Sequence, residues 1–90
     1  MSRKKTRAAA LQYDRERDIA PRVVASGENR MAERIVETAV EAEIPIVEDA
    51  ALVSALLLLE LGEEIPTELY QAVAKVLSFV YSLDKRDDVT

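Results

Sequence analysis

The sequence predicts a single-domain α/β fold, a small sheet that includes a parallel β-α-β unit and is flanked by three helices. Three observations carry that prediction. Two brief β-branched runs, Val23-Val24-Ala25 and Ile44-Pro45-Ile46-Val47, are bounded or interrupted by proline and glycine, as short strands are. Between them Met31, Ala32, Ile35, Val36, Ala39 and Val40 recur at helical spacing, with Glu33, Arg34, Glu37 and Glu41 on the polar side, the pattern of an amphipathic helix. The 90 residues suffice for one hydrophobic core and not for two.

Taken in order, residues 7–18 are locally ambiguous. Ala8, Ala9, Ala10, Leu11 and Gln12 favour helix, while Ala9, Leu11 and Tyr13 alternate as a strand face would, and propensity alone leans to helix. Asp14-Arg15-Glu16-Arg17-Asp18 alternates in sign and reads as solvated, and Pro21 biases Ala20 to an extended conformation, so a loop runs from Asp14 to Pro21. Val23–Ala25 then forms a strand ending at Ser26-Gly27. Strand, helix and the Ile44–Val47 strand together imply a parallel pair with a right-handed crossover.

Asp49 caps a second helix through Leu52, Ala55, Leu56 and Leu59, with Gly62 at its end. Pro66 opens a third, whose Leu69, Val73, Val76, Leu77 and Val80 form one apolar face that anchors the core. The expected organisation is a basic tail over 1–6, the folded domain over 7–83 and a C-terminal tail over 84–90.

Composition narrows the function classes. Cysteine and histidine are both absent, which removes disulfides, thiolate catalysis, Cys- or His-held metals and a histidine general base. Paired carboxylates such as Glu41/Glu43 and Glu63/Glu64 sit on polar faces or helix ends and read as solvated charge. Two glycines, Gly27 and Gly62, build no phosphate loop. No cofactor, small-molecule substrate or enzymatic reaction is expected. The basic start is not followed by an apolar run long enough for an export signal, and Ala50–Leu59 is about half of the ~20 residues of a membrane span. A cytoplasmic protein is expected.

Net charge is −5, divided into +4 over residues 1–30 and −9 over residues 31–90. Arg3-Lys4-Lys5-Thr6-Arg7 could attract phosphate, but no aromatic residue interleaves and the acidic remainder repels a nucleic-acid backbone. Leu56-Leu57-Leu58-Leu59 and Leu61 wrap all round their helix. Either the C-terminal helix folds over the surplus, or Leu57, Leu58 and Leu61 form a partner or self-association surface that makes a homodimer.

Three stretches, Ala8-Ala9-Ala10-Leu11-Gln12-Tyr13-Asp14, Ala20-Pro21-Arg22-Val23-Val24-Ala25-Ser26-Gly27 and Gly62-Glu63-Glu64-Ile65-Pro66-Thr67-Glu68-Leu69-Tyr70-Gln71-Ala72-Val73-Ala74, together resemble one family. It is the cytoplasmic domain of the flagellar and type III secretion export-switch proteins (FlhB/YscU-like). Order and spacing continue through Ile44–Glu48 and Val76–Tyr81, so the likeness covers about residues 6–83. The resemblance implies that Arg7–Tyr13 is a strand, against the local helix preference, which brings the sheet to about three strands.

Members of the family are anchored by transmembrane helices and cleave themselves in an Asn-Pro-Thr-His loop. That loop falls here on Arg3, Lys4, Lys5 and Thr6, without the asparagine or proline, so self-cleavage is not expected. Little chain precedes it to supply the family's preceding strand, and the resemblance therefore implies a sheet edge open to strand addition. It also implies a patch for short signals in exported proteins at Ala20, Pro21, Ala74 and Leu77, where Leu77 reads equally as core and Pro21 as a loop former. The function implied is a non-catalytic protein-binding module of the export apparatus, recognising export substrates or gate components, in the cytoplasm or peripheral to the gate at the inner membrane. The alternative is a regulatory adaptor outside secretion, binding nucleic acid or an acidic protein through Arg3–Arg7.

Overall fold

The structure, a computed structural model, describes residues 6–88. Strand β1 (Arg7–Gln12) pairs antiparallel with β2 (Arg22–Glu28). The alanine-rich β1 adopts the extended state because pairing offers what isolated propensity cannot. Its Ala8 is buried, and Arg7 is tied across the sheet by an ion pair to Glu28 at 3.4 Å. The register shifts between Ala10 and Leu11, which oppose Ala25 and Val23 respectively, so Val24 is the extra residue of a bulge and stands half exposed.

Helices cover both faces of this hairpin. Helix α1 (Arg30–Glu41) buries Ala32 and contacts both strands. Gly27 permits its close approach: a Cβ at position 27 would lie 2.6 Å from Met31 Cβ. The opposite face belongs to the main core, Ala20, Val23, Leu52, Leu56, Ile65 and Val73, against which Ala9, Leu11, Leu59, Leu69, Val76 and Leu77 pack. The alternation of β1 divides its alanines accordingly, Ala9 joining this core with Leu11 while Ala8 points to the other side.

The parallel β-α-β unit expected from Ile44–Val47 is corrected: among the described residues the sheet is two-stranded and antiparallel, and residues 44–47 lie outside it. The chemistry of the helix end explains why. Glu43 takes a left-handed conformation (φ 57°), its N–H donates to Val40 O and that of Ile44 donates to Ala39 O at 2.8 Å, the paired bonds of a Schellman cap. With the Ile44 donor used and Pro45 having none, the run begins with two residues unable to donate to a ladder. The chain supplies its third extended contact elsewhere. Gly62 N donates to Val23 O (2.7 Å), Val23 N to Glu63 O (3.1 Å) and Ile65 N to Pro21 O (2.9 Å), around an Arg22–Glu64 bridge.

Helix α2 (Ala50–Leu56) is capped by Asp49, whose Oδ1 accepts from Leu52 N at 3.0 Å. It stops short of Leu59. Leu58 and Leu59 donate to Ala55 and Leu56, tightening the last turn, and the chain reverses through Gly62 (φ 86°) to reach the edge of β2. After Pro66, a 3-10 turn (Thr67–Leu69) leads into α3 (Tyr70–Asp88), which continues past Leu83 into the expected tail. Val73 is the deepest of its residues up to Leu83, 1% exposed. No described helix is long and apolar enough to cross a membrane.

Candidate protein-recognition groove

The loop between the strands is held by reciprocal aspartate bonds. Asp14 O accepts from Arg17 and Asp18 N–H, Asp14 Oδ1 accepts from Glu16 N at 3.0 Å, and Asp18 Oδ2 accepts from Asp14 N at 2.9 Å. Arg22 then pairs with Asp18 at 3.7 Å and with Glu64 at 3.2 Å. These contacts fix the exit of β1, the Ile19-Ala20-Pro21 segment and the strand-like Gly62–Ile65 stretch relative to one another. Helix α3 closes the remaining side, because Tyr70, Val73, Ala74 and Leu77 repeat at the spacing of one helical stripe.

Between them lies an open groove of about 220 Å³, lined by Tyr13, Ile19, Ala20, Pro21, Ile65, Tyr70, Val73, Ala74 and Leu77. All four residues singled out from the sequence, Ala20, Pro21, Ala74 and Leu77, meet there. Ala20 and Pro21 are buried and form its floor, Leu77 is half-buried, and Ala74 is exposed. Ile19, 87% exposed, stands at the rim. Among the described residues no charged side chain lines the groove. One helical turn beyond Leu77, the Arg15 guanidinium lies 4.8 Å from the centre of the Tyr81 ring and places a cation near that end. The volume is below the ~300–1,000 Å³ usual for small-molecule pockets. It suits one or two apolar side chains of a peptide.

Sequence reasoning missed Tyr13, Ile19, Ile65, Tyr70 and Val73. Tyr70 and Val73 could have been found, since they share the stripe of Ala74 and Leu77. Ile65 could not, because its place depends on the long-range bond to Pro21 O.

The other candidate surfaces are separate from the groove. Leu57 is half-buried, whereas Leu58 and Leu61 are 86% and 66% exposed on the turn leaving α2. Arg3, Lys4 and Lys5 fall outside the described residues; Thr6 is exposed, and its carbonyl accepts from Asn29 N at 2.7 Å.

The family model described as "FlhB HrpN YscU SpaS Family" matches residues 6–80. The chain belongs to this family. YlqH of Bacillus subtilis (strain 168) is 43% identical over 79 residues, covering 88% of this chain and 85% of its own length. The flagellar biosynthetic protein FlhB of Escherichia coli (strain K12) is also 43% identical over 79 residues, and there the match covers 87% of this chain and 21% of FlhB. The chain thus spans about a fifth of the flagellar FlhB relatives. Among solved structures, the cytoplasmic domain of FlhB from Shewanella putrefaciens superposes with a TM-score of 0.86 at 37% identity, over 92% of this chain and 65% of that one. The PscU C-terminal domain gives 0.78 at 31% identity, over 82% and 95%. The FlhB-like fold is therefore shared along nearly the whole chain.

Proposed function

We propose that this FlhB-like chain is a non-catalytic protein-binding module of the flagellar or type III export apparatus, and that its groove receives short apolar segments of exported proteins or of gate components. The observation that carries this reading is the convergence of Ala20, Pro21, Ala74 and Leu77 in one apolar groove that the aspartate-bonded loop holds open. A preorganised site of this kind loses little conformational entropy when a flexible segment docks. Membership in the family supports the export role.

Binding of export substrates purified from the same host, measured with the intact chain, tests the reading. Ala74→Asp places a charge on an exposed groove residue without disturbing the core, and Pro21→Asp places one on the buried floor. Desolvating that carboxylate against apolar side chains is expected to weaken binding by about tenfold or more. Unchanged affinity in the Ala74 variant, with native circular dichroism, would refute the groove as the site.

A further inference from the structure

We propose that Arg15 makes the groove selective for charge, so that it favours extended segments carrying an acidic residue two positions from their apolar anchor. The inference rests on the reading of the groove as a peptide site and adds the residue that chooses among peptides. Three arginines surround the loop that holds the groove open, and two of them are committed. Arg17 pairs with Asp14 at 3.8 Å. Arg22 is shared between Asp18 at 3.7 Å and Glu64 at 3.2 Å, and it donates to Gly62 O at 3.1 Å. Arg15 enters none of the ion pairs or side-chain hydrogen bonds among the described residues, including any with its neighbours Asp14 and Glu16.

The seat of this side chain decides what it can do. Its guanidinium lies over the half-buried Tyr81 ring, 4.8 Å from the centre, and attraction to the ring holds it at the Leu77 end of the groove. A guanidinium lying over a ring keeps its N–H donors round its own edge, where a carboxylate can accept two of them in parallel. Lys75 does not share this position. It follows Ala74 by one residue, and a step of about 100° round the helix turns it off the groove stripe.

Spacing converts the position into a sequence requirement on the guest. Leu77 and Tyr81 are four residues apart on α3, which is about 6 Å along the helix. In an extended chain the side chains of one face recur every ~6.6 Å. A guest side chain packed on Ala74 and Leu77 therefore brings the one two residues away to Arg15, whichever way the guest runs. Glu or Asp there meets an unshared cation, and Lys or Arg is repelled by it.

Three palindromic peptides test this: acetyl-Glu-Ser-Leu-Ser-Leu-Ser-Glu-amide and its counterparts with Gln or Lys at both ends. Each is titrated into the full chain and followed by methyl shifts at Ile65, Val73 and Leu77. Affinity is expected to fall in the order Glu, Gln, Lys, with about fivefold between the first and last at low salt and a smaller gap as salt rises. Arg15→Glu, a change at an exposed residue, is expected to reverse the order, and Arg15→Lys to keep it with a narrower gap. The Gln peptide reports on the groove itself, and Ala74→Asp is expected to weaken its binding. If the Gln peptide binds there while the Glu and Lys peptides bind equally, charge selection by Arg15 is overturned and the groove stands. A preference for Glu that survives Arg15→Glu overturns it as well. If no peptide shifts the groove methyls, the peptide-site reading falls and takes this inference with it.

Discussion

Of the three described residues with positive φ, Asn29, Glu43 and Gly62, the last two sit at turns on which the fold depends, and their side chains make opposite predictions. Gly62 at φ 86° lets the chain double back from α2 to the edge of β2. A Cβ there meets no heavy atom within 4 Å, so Gly62→Ala isolates the conformational cost, about 1–2 kcal/mol of lost stability. Glu43 sits at φ 57° in the cap of α1, a position glycine occupies without a Cβ penalty. Glu43→Gly is expected to raise stability by up to about 1 kcal/mol. Urea melts of both variants read the signs directly; a shift of both midpoints in one direction would contradict the assignment.

At the scale of elements, what could be read from the sequence was set by how local each determinant is. The Asp49 cap, the amphipathic pattern of α1 and the stripe of α3 are encoded within a few neighbouring residues, and each is present. The strand character of Ala8–Leu11 is not local, and only resemblance to relatives revealed it. Ile44–Val47 shows the reverse case: its β-branched composition invites a strand, but the cap at Glu43 and the ring of Pro45 withhold the first two donors. Of the groove, the four residues suggested by resemblance were legible; the wall at Ile65 was not, because it is built by a bond reaching back to Pro21. The leucine-rich turn divides in the same way. Leu56 and Leu59 serve the core, while Leu58 and Leu61 face outward. If that surplus joins two copies of the chain, light scattering finds a dimer that Leu58→Glu converts to monomer, and a monomer in both cases removes the contact.

For the whole molecule, the sequence holds neither histidine nor cysteine, and the groove is lined among the described residues by aliphatic, proline and tyrosine side chains. The residues aligned with the family's self-cleavage loop, Arg3, Lys4, Lys5 and Thr6, are expected to leave the backbone intact. Intact-mass measurement after prolonged incubation should return the full chain, and fragments ending between Arg3 and Thr6 would reverse that conclusion.

The bonding of Gly62–Ile65 to Pro21 and Val23 also limits how far association can go. A sheet with two free sides can stack copy upon copy into a fibre, whereas this one is stoppered on one side by its own chain and kinked there by the bulge at Val24. Pairing of another chain along that side is therefore obstructed at Val23 by the protein's own backbone.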